Sequence, residues 1–384
     1  MKKVLFGDVI QRIKTPVDKD NCPFDYYVGG EHFDNGSLKV CRHGIIKGST
    51  IGPAFSTSFQ SGDVLLMSRN PHLRKAGMVD FDGICSDVSY VCRTKNESVL
   101  LQRFIPLILQ SDSFWSFAET NKKGSTNFFL NWKDFARYEF ELPSIEAQKK
   151  ACAAVWAAYD AVEALNNLKS SALQLLKSKF DDVIIPAIRN RKTRPLDDFI
   201  DPHRPVTYGI VKPGHHFPGG VPVVKVKDMI NGGLDTSDLL LTSPQIDDQY
   251  KRSHLAEGDL LLSIRGTVGR LALVPKELIG ANITQDTARL AIRKGHETLF
   301  VKGVLESSEL QAEMSEHIVG LAVKGINIGY VRKIPIPMLT QQGERELAEF
   351  YATISRAVAA YDEELAKLKV LFRNVLETAI KEEN

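Results

Sequence analysis

The sequence predicts an α+β protein: two mixed α/β domains in pseudo-two-fold repeat, separated by two long antiparallel coiled-coil helices. Three observations predict it. Residues 28–69 and 224–265 match at a constant offset of 196, pairing Val28/Val224, Asn35/Asn231, Gly36/Gly232, Gly62/Gly258, Asp63/Asp259, Leu65/Leu261, Leu66/Leu262 and Arg69/Arg265, and an internal repeat of this kind fixes architecture before any motif does. Two segments, Lys149 to Ile185 and Glu344 to Asn384, contain neither Gly nor Pro. Within them, at an offset of 200, Ala158, Ala161, Leu165, Leu168, Ala172 and Leu175 parallel Val358, Tyr361, Leu365, Leu368, Phe372 and Val375. That spacing of 3, 4, 3, 4, 3 is the heptad seam that keeps one apolar stripe facing a partner helix.

The elements follow in order. Val64–Met67 and Leu260–Ile264 are short apolar runs after a Gly-Asp turn, as buried strands commonly are. Val221–Lys227 and Ala288–Arg293 alternate like strands with one solvated face, and short helices are expected over 99–118 and 298–317. Downstream, Lys123-Gly124 is matched with Lys324-Gly325, Leu142-Pro143 with Ile336-Pro337, and Gln148 with Gln342. The expected boundaries are a first domain at 1–143, a long helix at 144–184, a linker at 185–195, a second domain at 196–339 and a second long helix at 340–384. The linker is placed by Pro186 and Pro195, which stop helices. Its basic residues read as a solvated connection rather than a phosphate contact.

At 384 residues the chain exceeds the size at which single cores stop growing, roughly 250–300 residues. Cys22, Cys41, Cys85, Cys92 and Cys152 form no C-x-x-C pair and read as reduced core residues. No apolar run approaches the roughly 18 residues of a membrane span and no signal core follows Met1-Lys2-Lys3, so a cytoplasmic protein is expected.

Catalytic signatures are missing: there is no phosphate-binding G-x-x-x-x-G-K-[ST], no G-x-G-x-x-G, no H-E-x-x-H and no G-x-S-x-G. His215-His216 is the nearest approach to a metal pair, without a second ligand cluster, and reads as a loop. The chain is expected to catalyse nothing by itself and to carry no cofactor or metal. What it offers instead are polar, glycine-punctuated loops at equivalent places: 68–75 and 265–270 after the Gly-Asp strands, and 122–127 and 324–327 before the long helices. Arg, Lys, Asn and Ser/Thr are the side chains that hydrogen-bond phosphates and base edges. The candidate DNA contacts are therefore Arg69, Arg74, Lys123, Asn127, Arg265, Arg270, Lys324 and Asn327, taken collectively, since capping or turn formation competes with base contact for each Asn.

The run from Gly258 through Leu262, Arg265-Gly266-Thr267-Val268-Gly269-Arg270 and Pro275, then Gly280 to Asp286, resembles the target-recognition domain of Type I restriction-modification specificity subunits. The first domain is similar more loosely, through Gly62-Asp63-Val64-Leu65-Leu66 and Lys123-Gly124-Ser125-Thr126-Asn127. Leu142 to Lys149 and Ile336 to Gln342 look like that family's boundary before each helix. The resemblance implies a non-catalytic subunit whose two target-recognition domains each read half of a split double-stranded DNA target. It also implies two docked modification (methyltransferase) subunits, with restriction subunits joining for cleavage. S-adenosylmethionine, ATP and Mg would then belong to those partners, and no membrane is involved.

A rigid spacer would act as a ruler, because two readers engage only half-sites whose separation and helical phase fit it. Against this stands the charge: 49 Lys and Arg against 47 Asp and Glu give only +2, whereas many nucleic-acid binders are distinctly basic. Two other classes remain open, a standalone DNA-binding regulator and a non-catalytic coiled-coil scaffold. The first needs tight binding alone, and the second needs protein rather than DNA partners.

Overall fold

A computed structural model describes residues 2–18, 21–230, 232–320 and 324–381; Asn231 of the repeat lies outside them. The chain divides into two compact units, residues 1–166 with 363–384 and residues 167–362. Both mix strands and helices.

In the first unit an antiparallel sheet runs in the order Ile10–Ile13, Ser89–Thr94, Val64–Met67, Ala76–Met78. The second unit repeats the order with Thr207–Tyr208, Thr287–Leu290, Leu260–Ser263 and Leu271–Leu273. Beside each lies a mixed sheet with one parallel pair, Tyr26–Val28 with Gly83–Ser86 and Val221–Val224 with Asn282–Ile283. The central strands Val64–Met67 and Leu260–Ser263 are buried along their length, which explains their unbroken apolar runs.

The Gly-Asp turns have a common construction. Gly62 (φ +89°) and Gly258 (φ +80°) take the left-handed conformation that favours glycine. The carboxylate that follows closes the turn on a backbone N–H three residues earlier, Asp63 on Gln60 (2.8 Å) and Asp259 on Ala256 (2.8 Å). The expected helices at 99–118 and 298–317 are each broken into two, Ile105–Gln110 and Asp112–Asn121, then Thr298–Leu305 and Ser308–Glu316. The buried serines between them cap the second helix of each pair, Ser111 accepting from Phe114 and Ser307 from Leu310, as N-cap hydroxyls do.

The first long helix runs Ile145–Arg189 and the second Gln341–Lys381. The linker expected at 185–195 is corrected: the helix continues through Pro186, and Thr193–Pro195 is a strand paired with Pro335–Pro337. Pro186 sits within the last turn, where few later residues depend on the helical pattern. The terminator is a left-handed Arg191 (φ +54°), with Lys192 N–H bonded to Ala187 O and Arg191 N–H to Ile188 O. That pair of bonds is a Schellman motif.

Each unit's core draws on both long helices. In the first, Cys152, Val155, Trp156 and Tyr159 join Leu376, with Phe372 and Val375 packed against them. In the second, Leu176, Phe180 and Ile184 join Leu347, Ala348 and Tyr351. There Lys169 pairs with Asp362 and Phe180 meets Tyr351 edge-on at 6.1 Å, so one helix ascends as the other descends: the two are antiparallel.

The seam on the first helix needs correcting. Ala161, Leu168 and Leu175 are exposed, and Ala158, Leu165 and Ala172 only half-buried. The inward series is one residue on, through Tyr159, Val162 and Leu176, with Asn166 and Lys169 at its middle. On the second helix Leu365 is buried and Val358, Tyr361, Leu368, Phe372 and Val375 are half-buried. Of the cysteines, Cys85, Cys92 and Cys152 are buried, whereas Cys41 is exposed and Cys22 half-exposed; all five are free thiols. Burial pushes the Cys85 thiol up to about 12. No described helix is long and apolar enough to cross a membrane.

Candidate nucleic-acid interface

The polar loops of each unit are zipped together by backbone hydrogen bonds. In the first, Asn70 N–H bonds Phe128 O (2.9 Å), Leu130 N–H bonds Ser68 O (2.9 Å), and Lys123 and Phe129 exchange bonds in both directions. In the second, Gly266 N–H bonds Lys324 O (3.2 Å), Ile326 N–H bonds Ile264 O (2.9 Å), and Val319 and Gly325 exchange bonds. Every one of these pairs is related by the original offset of 196. Arg69 is therefore the counterpart of Arg265, and Arg74 of Arg270.

The expected match of Lys123-Gly124 with Lys324-Gly325 is overturned by the same register. Lys123 corresponds to Val319, Lys324 to Phe128, and Asn327 to Asn131. Asn131 and Asn327 precede the short helices Trp132–Phe135 and Ile328–Lys333. The Lys-Gly dipeptide recurs at two places that are not equivalent in the fold, whereas the Asn residues, both at helix starts, keep the register of the repeat.

The eight candidate side chains are in three situations. Arg69, Asn127 and Lys324 are exposed and, among the described residues, make no side-chain hydrogen bond or ion pair. Arg265 is half-buried and oriented by Gln285, whose Oε1 accepts from its Nη1 at 2.8 Å. The others are turned toward their own unit. Arg74 donates to Asp112 (2.5 Å), and Arg270 to the carbonyls of Val226 (3.3 Å) and Met229 (3.4 Å). Lys123 binds both carboxylate oxygens of buried Asp134 (2.8 and 3.0 Å), which also accepts from Arg137 (2.9 Å).

The Lys123 ammonium chiefly, and then the Asn131 N–H, holds the Asp134 carboxyl below its usual range. With a lowered folded value, this cluster stabilises the loop fully above the ordinary carboxylate pKa and loses that contribution as pH falls through the folded one. Gln285 and Asp134 were not among the sequence candidates. Gln285 could have been found as the amide directly before Asp286, in the loop whose backbone oxygen receives Ile264 and Arg265 N–H.

Asn327 is a cap: its Oδ1 accepts the N–H of Tyr330 at 2.8 Å. Asn327→Ala is expected to lower stability by about 0.5–2 kcal/mol, as other N-cap losses do, measured by urea unfolding; unchanged stability would reverse that assignment. No group of three or more His, Cys, Asp or Glu that could hold a metal occurs among the described residues.

No protein-family model matches the chain. Over 193 residues it is 29% identical to the Type I restriction enzyme EcoBI specificity subunit of Escherichia coli, a match covering 49% of this chain and 40% of that one. Among solved structures it is similar to the S subunit of a Type I restriction-modification system from M. genitalium, with a TM-score of 0.59 and 13% identity over 100% of this chain and 96% of that one. A chain from a structure describing complex assembly and conformational transition of the type I R-M system gives a TM-score of 0.54 and 21% identity, covering 99% and 97%. This is the fold of a Type I specificity subunit. The curated relative is a specificity subunit, and the match spans less than half of that protein's length.

Proposed function

We propose that this chain is the sequence-specific DNA-recognition subunit of a Type I restriction-modification complex, itself without catalytic activity, each unit reading one half of a split target. The observation that carries the reading is the doubled loop system. In both copies an arginine, Arg69 or Arg265, stands at the same place on a loop zipped by the same bonds, yet its surroundings differ: Arg69 follows Ser68 into a left-handed Asn70, whereas Arg265 is oriented by Gln285. Equivalent frames with unequal reading groups suit two different half-sites. The curated relative supports the same reading.

In this reading Arg69, Asn127, Arg265 and Lys324 are the leading contacts, Arg74, Arg270 and Lys123 shape the loops, and the units are target-recognition domains. The 45-residue first helix, about 68 Å long at 1.5 Å per residue, serves with its antiparallel partner as spacer and as docking site for modification subunits. Restriction subunits complete the cutting complex in the cytoplasm, and S-adenosylmethionine, ATP and Mg act on those partners. Near-neutral net charge accords with a reader that binds DNA weakly alone and shares phosphate contacts with its partners.

The test is methylome sequencing of cells carrying this chain and its modification subunit, compared with cells lacking this chain. A split methylated motif that requires the chain is expected; a confirmed complex that produces no motif would sink the reading. Arg265→Ala is expected to cost about 1–3 kcal/mol at one half-site, roughly 5- to 150-fold in discrimination, with the other half-site unaffected. Competition binding with duplexes altered in one half at a time reads this directly.

A further inference from the structure

The second unit contains a cleft of about 1180 Å³ between its segments of the two long helices and its own sheet. The first unit shows what fills the same place in the other copy of the repeat. There the Tyr159 ring is buried, with its hydroxyl 2.8 Å from Ser37 Oγ and Phe372 beside it at 6.0 Å. Gln110 closes the site by donating to the carbonyls of Ser37 (2.8 Å) and Ala76 (2.6 Å).

At the offset of 196, Tyr159 becomes Ser355, Ser37 becomes Gly233, Gln110 becomes Glu306 and Leu176 stands for Phe372. All four line the cleft. The phase is secure because both long helices are anchored at the same place near their starts, Leu101 N–H on buried Gln148 in one unit and Glu297 N–H on buried Glu344 in the other, so that Gln148 answers Glu344 and the expected match with Gln342 is corrected. Tyr351, in the place of Val155, takes up some of the space one turn earlier. Its hydroxyl is committed to Glu306 (2.6 Å) and to Lys302. The Tyr159 ring is thus missing from the second unit, whose own rings, Tyr351 and Phe180, stand one turn away on their helices and leave the cleft beside Ser355 open.

The rim has the character of a docking surface. Leu173 and Ile230 are exposed there, 40% and 47%. Lys177 on the same wall is exposed and has no partner among the described residues. From the vacancy of an aromatic ring, the apolar rim and the free cation, we infer that this cleft receives an aromatic side chain, flanked by acidic residues, from a modification subunit. This rests on the functional reading above. The site belongs to one unit only, so the two copies of the repeat offer unequal seats to partners.

The probe is p-cresol, the tyrosine side chain in isolation, with the full-length chain as wild type and as Ser355→Tyr and Leu176→Phe, which rebuild the first unit's filling. Either variant that keeps wild-type circular dichroism serves. Severalfold above its Kd, p-cresol is expected to raise the wild-type thermal midpoint by roughly 2–4 °C and to leave the variant unmoved. Titration with the modification subunit is expected to show at least tenfold weaker assembly of the variant. No response of the wild type to p-cresol, or an equal response of the variant, overturns the site. A p-cresol response with undiminished assembly of the variant overturns the partner as its occupant. If the wild type forms no complex, the functional reading itself fails, and the p-cresol result shows that failure to be separate from the cleft.

Discussion

Asp259→Ala is expected to destabilise the second unit by about 1–3 kcal/mol, the usual consequence of leaving the partners of a buried carboxylate unsatisfied, since Arg204 itself is a third exposed. The carboxylate is 3% exposed and accepts both guanidinium ends of Arg204, at 2.7 and 2.6 Å, together with the Ala256 N–H. Its loss would strand Arg204 near a second, deeper arginine. Arg289 is 1% exposed in the strand position that Val91 holds in the first unit, and it donates through one nitrogen to the carbonyls of Pro205 (3.1 Å) and Arg252 (3.2 Å). Burial chiefly, and then the neighbouring Arg204, draws the Arg289 pKa below its ordinary value, while Asp259 opposes that shift. Removing Asp259 therefore leaves two cations close together with less to neutralise them. Urea denaturation of Asp259→Ala, of Arg204→Ala and of the double variant tests this, the double variant being expected to recover part of the loss. A single-variant effect below about 1 kcal/mol would refute the account.

The same residue shows why the repeat was legible in sequence. A Gly-Asp turn needs a left-handed backbone and a carboxylate to close it, both local demands, so Gly62-Asp63 and Gly258-Asp259 announce themselves at a fixed spacing. The arginine partner is not local. Asp63 takes Arg93 from a strand and Asp259 takes Arg204 from the bend before Thr207–Tyr208, and no spacing could have named them. The candidate loops divide in the same way. Arg69/Arg265 and Arg74/Arg270 kept the register of the adjoining strand, whereas the Lys-Gly match slipped because loop identity between two short polar stretches carries less information than the backbone bonds that pair 123 with 129 and 319 with 325.

The helix seam was misread for a different reason. Ala158, Ala161, Leu165, Leu168, Ala172 and Leu175 have heptad spacing, but so does the series one residue on, and a helix turns only about 100° between them. Alanines weigh little in choosing a face. The choice is made by the large rings, Trp156, Tyr159 and Phe180, which have pockets waiting in the globular parts and which the heptad count passed over.

Phe180→Ala is accordingly expected to cost about 3–5 kcal/mol, as other buried Phe truncations do. The ring is 1% exposed and meets Tyr351 at 6.1 Å. It also lies over Gly303 so closely that a Cβ there would stand 2.2 Å from its Cζ. Gly303 is thus the seat of the ring, and Gly303→Ala should be destabilising as well, by overpacking rather than by a void. The functional consequence follows from where Phe180 sits: with Leu176 and Ile184 it fixes the later half of the first long helix to the core of the second unit. If that helix is the spacer of a split-target reader, loosening its anchor leaves both sets of reading loops intact and blurs the distance between them. A complex assembled on Phe180→Ala should then methylate the nominal target less while tolerating half-sites one base pair nearer or farther, in contrast to one assembled on Arg265→Ala, which should blur the bases of one half-site and leave the spacing strict. Methylation of duplexes differing only in spacer length separates the two, and an unchanged spacer preference in a measurably destabilised Phe180→Ala chain would remove the ruler from the functional reading.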